Sequence, residues 1–138
     1  MSPNPSIDWQ RLLGALAPGP ALAGVGVDVE AAARFEEPAR RDGLFTTAEH
    51  DYCGSRADPP ESYAGTWCAK EAVVKALAGH TRLLSRHVEI RRLGDGRPVV
   101  CLLGREGAEA GERFRVEVSI SHAEGLAVAV AVACAVNR

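Results

Sequence analysis

Lysine is scarce in this chain and confined to one place. Of the 16 basic residues only Lys70 and Lys75 are lysines, and both stand in Trp67-Cys68-Ala69-Lys70-Glu71-Ala72-Val73-Val74-Lys75-Ala76-Leu77, on either side of Glu71. Lysine carries a compact ammonium on a flexible stem, whereas arginine is a planar fork. Such a point charge is a common phosphate partner. A carboxylate between two of them suggests chemistry on a metal-bound phosphate ester. The competing reading is an ordinary helix, because Glu71 and Lys75 stand at the i, i+4 spacing of a routine helical ion pair.

Placed on a helix at about 100° per residue, Trp67, Val73, Val74 and Leu77 share one broad arc, with Glu71 and Lys75 beside it. Lys70 falls inside that apolar arc. A lysine there must extend its ammonium to water or find an anion, since a buried unpaired charge is costly. A bound phosphate would supply the anion.

A second acidic group belongs to a strand. In Leu22-Ala-Gly-Val-Gly-Val-Asp-Val-Glu30, valines at 25, 27 and 29 alternate with Gly24, Gly26 and Asp28, which is the period of a strand. Its end delivers Asp28 and Glu30 to the rim of a sheet. A helix broken at Pro38 is predicted over 31–41. Thr46 caps the next helix, with Glu49 three residues on, and that helix runs to about Arg56. Asp58-Pro59-Pro60-Glu61 breaks it and starts the lysine helix, which stops at Gly79. The remainder reads as strands over 88–93, 98–103, 114–121 and 126–136, with a turn at Gly94-Asp95-Gly96 and a short polar helix over 105–111. In the last strand Leu126, Val128, Val130 and Val132 form one face and Ala127, Ala129, Ala131 and Ala133 the other. Neither face is polar, so both call for cover, from a helix or from a second subunit.

Length bounds these elements to one core. Residues 1–22 read as an N-terminal extension with a short amphipathic helix over 7–16, and 23–138 as the domain. A net charge of −2 gives no general argument for nucleic acid. The most apolar run, 125–136, is too short to span a membrane, and no signal segment is legible at the N-terminus. Cys53, Cys68, Cys101 and Cys134 form no close pair. Reduced thiols and a cytoplasmic setting are therefore expected, without a zinc site.

Several segments together resemble one family. Trp67 to Leu77 is similar to the WxxKExxxK segment of 4′-phosphopantetheinyl transferases, and Val25-Gly-Val-Asp-Val-Glu30 to their first, metal-binding motif. Phe45-Thr-Thr-Ala-Glu-His-Asp-Tyr-Cys53 resembles the FTxxExxYC segment of the short, holo-acyl-carrier-protein-synthase branch. Gly96-Arg97-Pro98 resembles a family turn, and Val118-Ser-Ile-Ser-His-Ala-Glu-Gly-Leu-Ala127 the SISHxxGxA segment. These motifs run in family order over roughly residues 23 to 134.

The resemblance implies an α+β fold: a single lobe with an antiparallel sheet packed against a long helix. It implies transfer of 4′-phosphopantetheine from coenzyme A to a serine of an acyl or peptidyl carrier protein. Asp28, Glu71 and Glu30 would hold Mg²⁺, which favours carboxylates and phosphate oxygens. Lys75 and Lys70 would contact phosphates of coenzyme A. Gly96, Arg97, Pro98, Ser121 and His122 would hold its nucleotide end, and Arg34 with Phe35 would meet the carrier protein. Glu71 or a metal-held water would serve as the base. Because the larger branch places two lobes in one chain, a single lobe implies an oligomer, and the family precedent is a homotrimer.

Two departures qualify the match. Thr66 stands where the short branch often has arginine, followed by Trp67, and Glu30 follows Asp28 at the D-x-E spacing of the larger branch. A weakened relative that only binds carrier protein or coenzyme A, with Thr66 as its hint, is the alternative. A Mg²⁺-dependent hydrolase of another fold accounts for the acids and lysines but not for Ser119 to Gly125.

Overall fold

The computed structural model describes Asp8, Arg11 and residues 21–136. Apart from those two residues, the helix expected over 7–16 lies outside the described residues. Strand β1 (Leu22–Ala31) pairs antiparallel with β5 (Leu126–Ala135), and β5 pairs antiparallel with β4 (Phe114–Ala123). The first and last strands are thus neighbours in a three-stranded sheet of order β1-β5-β4. Helix α1 (Thr47–Gly54) leads into the long helix α2 (Pro59–Leu77), which lies across the sheet. Strands β2 (Val88–Arg92) and β3 (Pro98–Leu102) form a separate hairpin, and α3 (Gly104–Arg113) leads into β4. Hairpin residues Val88 and Ile90 are buried.

Small residues let α2 sit directly on the sheet. A Cβ at Gly26 would lie 1.9 Å from the Ala72 carbonyl oxygen, and one at Gly24 would lie 1.9 Å from that of Ala76. No side chain fits there, so the alternate glycines of β1 are the condition for backbone contact with the helix. Ala127, Ala129, Ala131 and Ala133 of β5 are fully buried on the same side. Asp28 continues the glycine face by strand alternation, and so points at α2.

The opposite face is bare in the single chain. Val25, Val27 and Val29 of β1 and Leu126, Val128 and Val130 of β5 remain exposed, at 37–58%. The helix covers the alanine face, and no other part of the described chain covers the valine face. One difference from expectation concerns 31–41, which forms two 3₁₀ turns, Ala32–Phe35 and Pro38–Arg41, instead of a broken helix. Pro38 offers no N–H to continue a helix. The Phe35 carbonyl instead accepts from Arg41 Nε at 2.8 Å.

One buried carboxylate joins three elements. Thr46 and Glu49 form the expected capping box at the start of α1. The same Glu49 Oε1 accepts from Lys70 Nζ of α2 at 2.6 Å, and Oε2 accepts from the Ile90 backbone N–H of β2 at 2.8 Å. The side chains of Lys70 and Glu49 are 1% and 0% exposed. This corrects the assignment of Lys70 to a coenzyme A phosphate. The anion that Lys70 requires is Glu49, and its ammonium is sealed from solvent beside the Phe45 ring.

Two outcomes follow for stability. Gly26→Ala should destabilise the chain by about 2–3 kcal/mol in urea denaturation, because backbone on both sides must separate to admit the methyl group. Lys70→Met should cost about 3–5 kcal/mol by the same measurement, the penalty for stranding a buried charge. If Lys70 were a phosphate contact, stability would hold and only affinity for the phosphate ligand would fall.

Candidate active site

The contact between β1 and α2 brings Asp28, Glu71 and Lys75 together. Lys75 lies one helical turn beyond Glu71, and its Nζ donates to Asp28 Oδ1 at 2.9 Å and to the Val27 carbonyl at 3.0 Å. The Lys75 side chain is 53% exposed, so its ammonium is accessible to an incoming anion. The bond to Asp28 raises its pKa above the ordinary lysine value. Burial, reinforced by the Asp28 carboxylate, pushes the Glu71 carboxyl above its ordinary range. Glu71 has no ion-pair partner among the described residues. Beside them the Cys68 thiol is pushed up to about 12 by burial, with Asp28 and Glu30 adding to the shift. It stays a neutral thiol whose Sγ donates to the Ala127 carbonyl at 3.5 Å.

Glu30 has a partner of its own. Its Oε2 accepts from Arg34 Nη1 at 2.6 Å, and its Oε1 accepts from the Ala31 N–H at 3.1 Å. The Arg34 guanidinium lies 5.1 Å from the Phe35 ring centre and 5.2 Å from that of Trp67. No three acidic, imidazole or thiol side chains converge on a possible metal position among the described residues. The structure therefore groups Asp28 with Glu71 but turns Glu30 to Arg34. Phe35 needs a firmer correction: it is fully buried, edge-on to Phe45 at 5.6 Å between ring centres. It supports Arg34 from below and has no surface to offer a partner.

The expected nucleotide-end residues lie elsewhere. His122 is on β4 and Glu30 on β1, with Ala127 of β5 between them in register. Two strand spacings put the two about 10 Å apart. Because Cys68 covers Ala127, α2 stands between them. His122 lies against the first turns of α2, where its Nε2 is 3.1 Å from the Glu61 carbonyl. Ser121 alternates to the other face and is exposed. Gly96, with φ of 86°, turns the β2–β3 hairpin. Arg97 and Pro98 line a cleft of about 710 Å³ between β3, α3 and β4, which none of Asp28, Glu71 and Lys75 lines. One chain therefore presents three separated groups.

Chemically, the Asp28–Glu71–Lys75 group offers two neighbouring carboxylates from different elements and an accessible ammonium. The donor set fits Mg²⁺, which is commonly held by one or two carboxylates and otherwise by water and substrate phosphate. Burial first, and then the Asp28 carboxylate, hold the Glu71 pKa up against the nearby cations. Sequence reasoning missed Cys68 and the second role of Glu49. The cap signal of Glu49 is local, whereas its partner Lys70 is 21 residues away, and no spacing rule joins them.

Comparison with known proteins gives a consistent result. Residues 24–131 match the model of the 4′-phosphopantetheinyl transferase superfamily. The chain is 38% identical over 116 residues to the holo-[acyl-carrier-protein] synthase of Caldicellulosiruptor bescii, covering 79% of this chain and 95% of that protein. It is 42% identical over 118 residues to the fatty acid synthase subunit alpha of Saccharomyces cerevisiae, covering 79% of this chain but only 6% of that subunit's length. Among solved structures, the acyl carrier protein synthase of Mycobacterium tuberculosis aligns with TM-score 0.69 at 32% identity, over 83% of this chain and 99% of that one. The Helicobacter pylori holo-[acyl-carrier-protein] synthase in complex with coenzyme A aligns with TM-score 0.66 at 26% identity, over 79% and 98%. On this match, and with a single α+β lobe in which a three-stranded sheet packs on one long helix, the chain belongs to the 4′-phosphopantetheinyl transferase superfamily, in its holo-acyl-carrier-protein-synthase branch.

Proposed function

We propose that this chain transfers 4′-phosphopantetheine from coenzyme A to a serine of an apo acyl or peptidyl carrier protein. The observation that carries the reading is the contact of Asp28, Glu71 and Lys75 across β1 and α2. The serine oxygen forms a bond to the phosphorus next to the pantetheine. The diphosphate P–O bond breaks, and adenosine 3′,5′-bisphosphate leaves. Reactions of this kind need alignment and charge neutralisation above all. Lys75 exchanges Asp28 for the diphosphate and neutralises the leaving oxygen. Asp28 and Glu71 would hold Mg²⁺, which supplies charge stabilisation to the diphosphate. Glu71, or a water held beside it, would accept the serine proton. Glu30 joins the metal ligands only on releasing Arg34.

Arg34 is the group offered to an acidic carrier-protein surface, with Arg40 and Arg41 in the following 3₁₀ turn. His122, Ser121 and Gly96 to Pro98 take the nucleotide end of coenzyme A. Their separation from Asp28 within one chain supports a site shared between subunits. The exposed Val25, Val27, Val29, Leu126, Val128 and Val130 supply an apolar face for subunit contact, and a homotrimer is the assembly proposed. A cytoplasmic setting accords with four free thiols. No helix among the described residues is long and apolar enough to cross a membrane.

With coenzyme A, Mg²⁺ and apo carrier protein, intact-mass measurement should show a gain of one phosphopantetheine. Glu71→Gln should lower the rate at least about 100-fold while the circular dichroism spectrum is unchanged. No mass gain across fatty-acid, polyketide and peptide carriers would remove the proposal. Light scattering should give the mass of three chains, and a monomer at assay concentration would refute the shared site.

A further inference from the structure

The Arg34 side chain is held from three directions within its own chain. Its guanidinium carbon lies 5.1 Å from the Phe35 ring centre and 5.2 Å from that of Trp67. Its Nη1 donates to Glu30 Oε2 at 2.6 Å. The two rings are themselves fixed. Phe45 stands edge-on to both, 5.6 Å from Phe35 and 6.2 Å from Trp67 between ring centres. The contact with Phe35 follows from adjacency, since the two residues are neighbours in one 3₁₀ turn. The contact with Trp67 does not follow from adjacency: it joins that turn to a different element, α2. Held in this way, Arg34 has already given up rotamer freedom that binding would otherwise remove. The side chain is nevertheless 38% exposed. Glu30 engages only one of the two terminal nitrogens, and the guanidinium carries five N–H donors in all.

The geometry points to Trp67 as a positioning residue for the carrier protein: its ring holds the Arg34 guanidinium beside α2, so that an acidic residue of the carrier docks at a set place relative to Glu71. The proposal rests on the assignment of Arg34 to the carrier protein made above, and adds the residue that orients it. Trp67 and Glu71 are four residues apart on α2, a rise of about 6 Å, and residues at that spacing share one side of a helix. The ring that carries Arg34 and the carboxylate assigned to the serine proton are thus parts of one rigid element. Burial raises the Glu71 pKa, and Arg34 is among the charges that oppose the rise, which agrees with this proximity. Among aromatic rings, indole attracts a cation most strongly. The remaining donors of the guanidinium can take a carboxylate. Leucine in place of Trp67 would fill part of the space and leave the cation unheld on that side.

The test is steady-state kinetics of the full chain with coenzyme A, Mg²⁺ and an apo acyl carrier protein, each substrate varied in turn. Arg34→Ala should raise KM for the carrier protein at least about tenfold, as loss of hydrogen bonds between charged groups does. An unchanged KM there would refute the assignment of Arg34 itself, whatever Trp67 does. Trp67→Leu should raise the same KM about three- to fivefold, the usual worth of a contact between a cation and a ring. KM for coenzyme A and kcat should each stay within about twofold. Trp67→Phe keeps a ring under the cation and should restore the carrier KM to within about twofold of the unaltered chain; failure to restore it counts against the ring as the holding group. In the Arg34→Ala background Trp67→Leu should add nothing, because both act on one contact. A distorted α2 would instead move kcat and both KM values, with or without Arg34. That pattern, additive effects, or an unchanged carrier KM in Trp67→Leu overturns the proposal. If Trp67→Leu does not fold, Trp67→Met, which keeps more of the volume and has no ring, takes its place with the same expectations.

Discussion

Everything at the site depends on how close α2 can come to β1. Helices usually pack with side chains between them and their neighbours, at interaxial distances of 8–10 Å from another helix. Here Gly24 and Gly26 remove those side chains on the strand, and Ala72 and Ala76 minimise them on the helix. The alanine row of β5 continues the flat surface. Bare backbone at that point gives Asp28 and Lys75 the reach to bond at 2.9 Å. With a normal side-chain layer the same residues would face each other across a gap. The small-residue core is thus a requirement of the chemistry as well as of packing, and it explains why a strand carrying the acidic group is so poor in large inward residues.

The charges at the site form a graded set. Asp28 has Lys75, Glu30 has Arg34, and Glu71 alone has no cation bonded to it. That asymmetry accounts for the direction of the Glu71 shift: burial and the neighbouring acid outweigh the more distant lysines. The lysines themselves divide by environment. Lys70 is locked to Glu49 inside the core, where the cost of burying either charge alone exceeds what a ligand could return. Lys75 stays at the surface, where exchange of one anion for another is cheap. Residues five apart in a motif have become a structural strut and an accessible ammonium.

Much of this was legible in the residues. The strand period of Val25, Val27 and Val29 located β1, and the i, i+4 spacing of Glu71 and Lys75 put both on one side of α2. The Thr46–Glu49 box gave the start of α1. What escaped were properties of the third dimension. Helical arc analysis placed Lys70 in an apolar environment but could not name its partner, because Glu49 was already explained by its cap. The segment 31–41 has helical composition, yet Pro38 and the Arg41 side chain redirect its carbonyls. Phe35 follows Arg34 directly, but one faces out and the other is enclosed by the aromatic ring of Phe45. The apolar last strand signalled cover on both faces, whereas a single chain covers only one.

The pairing of β1 with β5 has a consequence for the order in which the site comes into being. Asp28 is opposite Ala129, so the strand that carries it is completed only when a loop of about 100 residues closes, at the entropic cost that such closure carries. During synthesis, α1, α2 and the β2–β3 hairpin leave the ribosome with β1 still lacking β5, the one strand it pairs with among the described residues. The sheet edge that carries the acid therefore gains its neighbour only once residues 126–135 are present.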